Sequence, residues 1–187
     1  MNSKKLAQKL KSHRPSYLPL EDFRSSAVLV PLIRMPRGFS VLYTQRSDRV
    51  RDHKNQISFP GGVREKQDKN LIHTALRESK EEIGLLPENV SVLGRLRDLY
   101  TPTGYRITPF VGCINAPVPF RPNPHEIKEI LQVPLKHLLN PRNNRWQRAE
   151  FYGPRFDLPY FRYGNHTIWG ATGRITHELL TLIHGFL

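Results

Sequence analysis

Three glutamates in one short segment are the residues of this sequence best suited to chemistry. Glu78, Glu81 and Glu82 stand at positions i, i+3 and i+4, so on a helix they project from neighbouring turns. Like-charged pairs at this spacing destabilise an isolated helix by roughly 0.2–0.5 kcal/mol each. A hard divalent cation reverses that repulsion, because it takes carboxylate oxygens, water and substrate phosphate as ligands. The cluster therefore predicts a metal site that acts on phosphate.

The alternative is a solvated acidic face without a ligand. In that case Arg77, four residues before Glu81, forms a surface ion pair that contributes little to stability. The chain as a whole is basic, with 29 Lys+Arg against 16 Asp+Glu. Four glutamates nevertheless lie within residues 65–82, and this concentration favours a site.

A helix must position these acids, and the sequence predicts one over residues 70–83. A period of 3.6 residues places five side chains on a core-facing stripe: Ile72, Ala75, Leu76, Ser79 and Ile83. Gly84 is suited to end the helix, because glycine readily adopts the left-handed conformation that follows a last turn. Upstream, the turn at residues 59–62 contains Gly61 and Gly62, which allow a close approach of the backbone to a ligand.

The spacing of these residues resembles the Nudix box, G-x5-E-x7-R-E-U-x-E-E-x-G-U, where U is a bulky apolar residue. The chain departs from it in three ways: Asp68 replaces the usual Glu, one extra residue separates Asp68 from Arg77, and Ser79 takes an apolar position. The Arg-Glu and Glu-Glu pairs are intact, which implies the metal site. Asp68 either reaches the metal or caps the N-terminus of the helix. The matching residues are Gly62, Asp68, Arg77, Glu78, Ser79, Glu81, Glu82, Gly84 and Leu85.

The segment before the box resembles the signature of the coenzyme A pyrophosphatase branch of this superfamily, L-L-T-x-R-S-x3-R-x3-G-x3-F-P-G-G. The chain reads L-Y-T-Q-R-S from residue 42 and keeps Arg51 and the Phe-Pro-Gly-Gly turn. Tyr43 replaces a leucine and Asn55 replaces a glycine. Asparagine tolerates left-handed backbone better than most residues, so Asn55 can serve the same turn.

The resemblance implies a metal-dependent hydrolysis of a diphosphate linkage. Coenzyme A or acyl-coenzyme A would be split into 3′,5′-ADP and a 4′-phosphopantetheine. By resemblance, Glu78, Glu81 and Glu82 are expected to hold Mg²⁺ or Mn²⁺, and Arg77 to orient Glu81.

The resemblance also implies a proton acceptor and a set of substrate contacts. Glu78, Glu82 or Glu126 is expected to take the proton of the attacking water, with Glu129 in reserve. Glu126 and Glu129 are equally well explained as surface acids. The residues expected to contact the substrate are Arg46, Arg51, Gly61 and Gly62.

The net charge of +13 favours a polyanionic partner. The basic residues are spread along the chain, which favours a phosphate-rich small molecule over nucleic acid. Two rival functions remain open. One is a Nudix hydrolase of another nucleoside diphosphate derivative or of capped RNA. The other is a non-catalytic module that binds nucleotide or nucleic acid.

Composition and pattern predict one folded domain over residues 23–187, preceded by a basic helix and linker over residues 1–22. A single cysteine, Cys113, suits a reducing compartment, so we expect the cytoplasm; a targeting role for the basic N-terminus is the alternative. Cys113 lies in an apolar run and is expected to be a buried hydrophobic residue. No apolar run reaches the length of a membrane span.

Strands are predicted at residues 26–33, 39–46, 57–59, 89–99 and 107–115, with two more within 145–163 around a turn at residues 153–154. One short helix is predicted to end at residue 139, and another helix is predicted to span residues 173–184. Pro31 predicts an edge position or a bulge for the first strand. Together these elements are typical of a Nudix-like α/β/α sandwich with a mixed β-sheet, which is the fold that the resemblance implies.

Overall fold

The computed structural model describes residues 3–12, 22–50, 53–115, 117–150 and 155–183. The helices are α1 (Ser3–Ser12), α2 (Leu71–Ile83), α3 (Leu135–Leu139) and α4 (Gly170–Ile183), with 3-10 turns at Pro87–Asn89 and Pro141–Asn143. The strands are β1 (Arg24–Met35), β2 (Gly38–Arg46), β3 (Ile57–Ser58), β4 (Gly61–Val63), β5 (Val90–Arg95), β6 (Leu99–Tyr100), β7 (Tyr105–Asn115), β8 (Ile127–Pro134), β9 (Asn144–Glu150), β10 (Arg155–Tyr163) and β11 (His166–Ile168).

The larger sheet is mixed. Its main path runs β3-β2-β1-β7-β5, while β4 pairs with β1, β6 with β7 and β8 with β2. Strands β1 and β7 run parallel over their whole length, and the other pairs are antiparallel. A smaller antiparallel sheet has the order β11-β10-β9.

Apolar side chains cover both faces of the larger sheet. Strand β1 alternates, so that Ala27 and Leu29 pack with α2 on one face while Val30 and Leu32 pack with α1 and α4 on the other. The larger sheet thus has α2 on one face and α1 and α4 on the other, which is the layer order of an α/β/α sandwich. The predicted α/β/α sandwich with a mixed sheet is therefore confirmed.

The edge position predicted from Pro31 is wrong, because β1 lies at the centre of the sheet. On one side β1 pairs with β4 at Ser26–Val28 and with β2 only from Leu32 onward. The N–H of Leu29 points to that side and donates to Pro60 O at 2.9 Å, so the nitrogen of Pro31, two residues later, faces the same side. Pro31 thus falls where the partner strand changes, and its missing N–H costs no ladder bond.

The first helix packs on the sheet. Leu6 and Leu10 are almost fully buried in the apolar cluster that contains α4. A Cβ atom on Gly94 of β5 would collide with the side chain of Leu10. The division of the chain at residue 22 stays a prediction, and residues 13–21 lie outside the described residues.

Other boundaries differ from the prediction in detail. The single strand predicted at 89–99 is interrupted between β5 and β6, and the strands β4, β8 and β11 were not predicted. Helix α4 begins at Gly170, before the predicted start at residue 173. The turn predicted at residues 153–154 and position 184 lie outside the described residues. In the part of the chain that is described, each helix is too short or too polar to cross a bilayer.

Candidate active site

Local chemistry fixes both ends of α2. Asn70 has extended backbone angles, and its side chain accepts a hydrogen bond from the N–H of His73 at 2.9 Å. Gly84 has φ of 68° and its N–H donates to Lys80 O, which ends the helix as predicted. The two caps therefore fix where the helix that carries the three glutamates begins and ends.

The buried face of α2 differs from the predicted stripe. Ala75, Ser79 and Ile83 are buried as expected, and Leu76 is partly buried. Ile72 is 36% exposed, whereas Glu82 is only 3% exposed and belongs to the buried face. The hydroxyl of Ser79 donates to Ala75 O at 2.6 Å, which satisfies its polar group in the core.

Glu78 and Glu82 face the glycine turn on β4. The N–H of Gly61 donates to Oε2 of Glu82 at 3.3 Å. A side chain on Gly62 would overlap the carboxylate of Glu78, so only glycine allows this approach. The turn and the helix together bring two carboxylates to one place in the fold.

Burial makes both of these carboxylates hard to ionise. Burial, reinforced by the charge of Glu78, raises the pKa of Glu82 to about 8. Burial also raises the pKa of Glu78, although the adjacent Arg77 opposes this. Carboxylates in such an environment gain from a cation that neutralises them.

Arg77 connects most of the acids in the box. Its guanidinium donates to Asp68 at 3.0 and 3.1 Å, and to Val63 O at 3.3 Å. It also contacts Glu78 Oε1 at 3.0 Å and Glu81 Oε2 at 2.9 Å. The predicted pairing with Glu81 is present, and a second carboxylate, Glu78, is held as well.

Asp68 is the buried anchor of Arg77. Its side chain is fully buried, and it also accepts hydrogen bonds from Thr74 Oγ1 and from the N–H of Glu65. The hydrogen bonds from Arg77 hold the pKa of Asp68 well below its usual range. Capping of the helix by Asp68 is wrong, because Asn70 is the cap. The contacts of Asp68 orient Arg77.

Glu81 is more exposed than Glu78 and Glu82. Its side chain is 54% exposed, and its partner is Arg77. Its charge contributes to the raised pKa of Glu78. The helix thus presents one buried carboxylate (Glu82) and one partly buried carboxylate (Glu78) at the glycine turn, with the solvent-exposed Glu81 beside them.

Glu126 approaches this cluster from the loop before β8. Its negative charge raises the pKa of both Glu78 and Glu82. Its Oε1 accepts a hydrogen bond from Asn123 at 3.1 Å. The reserve candidate, Glu129, is instead 3.2 Å from His166 Nε2. The loop therefore brings Glu126, and not Glu129, toward the helix.

Arg46 supplies positive charge near the cluster. It ends β2, and its charge lowers the pKa of Glu82. Its Nε atom is buried and makes no hydrogen bond to any described residue. Arg51 lies outside the described residues. In the same loop Asn55 has φ of 58°, which confirms the left-handed conformation expected there.

Asn123 and Ser47 are site residues that the sequence analysis missed. Asn123 bonds to Glu126 and, through its backbone, to Glu82; Ser47 holds the carbonyls of His125 and Glu126. The Asn-Pro dipeptide at 123–124 is a turn signal, so a turn was predictable there. Its contact with α2 was not, because the two segments are distant in sequence.

Two cavities lie away from the carboxylates, with volumes of about 380 and 370 Å³. Both are lined by α4 and the β9–β10 sheet, and Trp146, Pro159 and His177 contribute to each. Neither lining includes a residue of α2 or of the glycine turn. We assign the chemistry to the carboxylate cluster, because the raised pKa values and the arginines converge there.

Comparison with known proteins decides which family has this arrangement. The family model of the NUDIX domain matches residues 23–154. The chain belongs to the Nudix family. The coenzyme A pyrophosphatase branch is the part of the family that it resembles. As a Nudix hydrolase it is an enzyme that acts on phosphoric anhydride bonds, so the non-catalytic alternative is set aside.

Several relatives support this placement. A protein of Pectobacterium atrosepticum named "Uncharacterized Nudix hydrolase NudL" is 39% identical over 165 residues, covering 88% of this chain and 85% of that protein. The human "Mitochondrial coenzyme A diphosphatase NUDT8" is 39% identical over 163 residues, covering 85% of this chain and 69% of that protein.

Solved structures confirm the fold. A MutT/nudix family protein from Enterococcus faecalis aligns with a TM-score of 0.55 at 16% identity, over 99% of this chain and 70% of its own. The Nudix hydrolase RenU of M. smegmatis aligns with a TM-score of 0.53 at 21% identity, over 63% of this chain and 74% of its own.

The donor set fits the divalent ions that Nudix hydrolases generally use. The carboxylates of Glu78 and Glu82 repel each other at one turn, and a hard cation relieves that repulsion. Among the described residues, no three acid, histidine or cysteine side chains already converge on one point.

Proposed function

We propose that the protein hydrolyses the diphosphate linkage of coenzyme A or acyl-coenzyme A, giving 3′,5′-ADP and (acyl-)4′-phosphopantetheine. The observation that carries the reaction type is the pair of carboxylates at the Gly61–Gly62 turn, Glu82 buried and Glu78 partly buried. The substrate class rests on the segment from residue 42 to Gly62 and on the coenzyme A diphosphatase activity for which the human relative is named.

Glu78, Glu81 and Glu82 would hold the metal, which is Mg²⁺ or Mn²⁺. When bound, the metal offsets phosphate charge and lowers the pKa of a bound water. Arg77, fixed by Asp68, keeps Glu78 and Glu81 in place. Its role is orientation rather than contact with the reacting phosphate.

The proton of the attacking water needs a carboxylate that accepts it. Glu126 is our first candidate, because it approaches the cluster without belonging to α2. Glu78 and Glu82 are the alternatives. Arg46 is suited to bind a substrate phosphate, since it ends β2 near the cluster and its charge lowers the pKa of Glu82. Arg51 and the backbone of Gly61 and Gly62 are proposed as further substrate contacts.

Product analysis by chromatography tests the proposal. Purified protein with Mg²⁺ or Mn²⁺ is offered coenzyme A beside NADH, ADP-ribose, diadenosine polyphosphates and capped RNA. We expect 3′,5′-ADP from coenzyme A, no turnover by Glu82→Gln, and unchanged turnover by Glu88→Gln, an exposed acid on the 3-10 turn. Full turnover by Glu82→Gln would contradict the metal assignment. Turnover of another diphosphate or of capped RNA would keep the reaction type and refute the substrate.

We propose the cytoplasm as the compartment, on the ground that the sequence contains one cysteine and no pair for a disulfide. Cys113 is buried, and burial raises the pKa of its thiol, as suits a packing residue. The mitochondrion is the compartment for which the human relative is named, and it is the alternative here. Imaging of the fluorescently tagged full chain distinguishes the two compartments.

A further inference from the structure

We propose that Asn123 is a positioning residue that holds the carboxylate of Glu126 beside the buried end of α2. The inference rests on the proposed function, because it takes Glu126 as a working carboxylate of the site. It adds a residue that belongs to neither the box nor the upstream segment. Asn123 would act through Glu126 rather than by touching the substrate.

Asn123 links the two parts of the site directly. Its backbone N–H donates to Glu82 O at 2.8 Å, and its side-chain Nδ2 donates to Glu126 Oε1 at 3.1 Å. One residue thus bonds both to the helix that carries Glu82 and to the loop carboxylate. Arg121 reinforces the junction, since its N–H donates to Ile83 O at 2.8 Å. These bonds also satisfy carbonyls that the end of α2 leaves free.

The same loop is held from the other side by Ser47, which follows Arg46. The N–H of Ser47 donates to Glu126 O at 2.8 Å, and its hydroxyl donates to His125 O at 2.8 Å. Ser47 is only 4% exposed. The loop is therefore fixed to the strand that provides Arg46 and to the helix that provides Glu82. Backbone bonds place the loop, and Asn123 alone among these residues bonds to the carboxylate of Glu126.

The two ends of the Asn123 amide have separate tasks. Its Oδ1 accepts from the N–H of His125 at 3.1 Å, which stabilises the turn, and its Nδ2 donates to Glu126. Aspartate at position 123 can still accept the hydrogen bond from the N–H of His125. It cannot donate to Glu126, and instead places a carboxylate oxygen against the carboxylate of Glu126. Asn123→Asp therefore separates the structural task from the positioning task.

The orientation of Glu126 matters because the last torsion of a glutamate is broad and has no strong preference of its own. A donor to one oxygen restricts that torsion and fixes the direction of the other oxygen. Loss of an outer hydrogen-bond partner of a working carboxylate at a metal site typically costs about 10–100-fold in affinity or activity.

The first test compares kcat and KM of Asn123→Asp with those of Asn89→Asp, which adds the same charge on the exposed 3-10 turn. We expect kcat of Asn123→Asp to fall by about 10–100-fold. KM should stay within about twofold, since the lost contact serves the reaction rather than binding. A kcat equal to that of Asn89→Asp would overturn the proposal, as would a fall in kcat that is matched by a fall in the thermal midpoint.

The second test is a double-mutant cycle with Glu126→Gln. If Asn123 acts through Glu126, then Asn123→Asp changes the residual kcat of Glu126→Gln by less than about twofold. The same fold-loss in both backgrounds would overturn the proposal. Full turnover by Glu126→Gln would instead refute the role given to Glu126 in the proposed function.

The third test needs no turnover, so it separates this inference from the proposed function. Protein labelled with ¹⁵N-asparagine reports the side-chain amide of Asn123 by NMR, assigned by its loss in Asn123→Asp. We expect Glu126→Ala to shift this resonance and Glu88→Gln to leave it in place. If Glu126→Ala leaves the chemical shift of the Asn123 side-chain amide unchanged, the hydrogen bond is absent and the proposal is overturned. This holds even if the enzyme hydrolyses coenzyme A.

Discussion

Replacing Glu82 with glutamine is expected to inactivate the enzyme and also to stabilise the metal-free protein at high pH. In the folded protein the carboxylate is 3% exposed and burial raises its pKa from 4.5 to about 8. The folded state therefore holds this proton more tightly than the unfolded state does. The protonated Glu82 carboxyl contributes to the free energy of unfolding. This contribution is fully present below about pH 4.5 and is lost as the pH rises through about 8.

The magnitude follows from the two pKa values. Each unit of difference corresponds to about 1.4 kcal/mol, so the shift from 4.5 to about 8 gives roughly 4–5 kcal/mol at most. For a chain of this size, each kcal/mol moves the thermal midpoint by about 2–4 °C. Glutamine stays neutral at every pH, and its amide oxygen can still accept from Gly61. The variant should therefore lose none of this stability.

The assay is thermal unfolding in EDTA between pH 5 and 9, for the wild type, Glu82→Gln and the exposed control Glu88→Gln. We expect the wild type and Glu82→Gln to converge near pH 5 and to separate by roughly 10 °C above pH 8, with Glu82→Gln the more stable. Because metal must displace the proton, Mg²⁺ should restore stability at pH 8–9 to the wild type only. Parallel curves for the wild type and Glu82→Gln would refute the reasoning.

Three further predictions concern the supports of the site. Asp68→Asn should lower the free energy of unfolding by about 3–5 kcal/mol, because it leaves Arg77 without its buried partner; urea unfolding measures this, and a loss below about 1 kcal/mol would contradict it. Gly62→Ala should lower kcat by about 100-fold by displacing Glu78, and unchanged steady-state kinetics would exclude the contact. Leu10→Ala should cost about 2–5 kcal/mol in urea unfolding if α1 completes the core, whereas a neutral result would mean that α1 does not pack there.

Sequence was most informative where structure is decided locally. The ends of α2 follow from Asn70 and Gly84, because cap chemistry depends on a few neighbouring residues. The conformation of Asn55 was predictable for the same reason. The glutamates could likewise be recognised from residue type and spacing alone.

Features that depend on distant neighbours were not predictable. A helical period groups Glu82 with the other acids, but the turn at Gly61 and the loop at Asn123 cover it. Ile72 fits the apolar stripe and is exposed because none of the described elements covers that position. Pro31 suggested an edge, since a sequence does not reveal that two partner strands meet beside it.

The parallel pairing of β1 with β7 has a consequence for folding and synthesis. Arg24 and Tyr105 are register partners 81 residues apart, so the centre of the sheet closes only after most of the chain is available. Contacts of such sequence separation slow folding, and until β7 arrives β1 exposes an unpaired apolar edge. Glu126 follows later still. A nascent chain should therefore be prone to aggregation before it is able to hydrolyse anything, and chaperone capture is expected between the synthesis of β1 and that of β7.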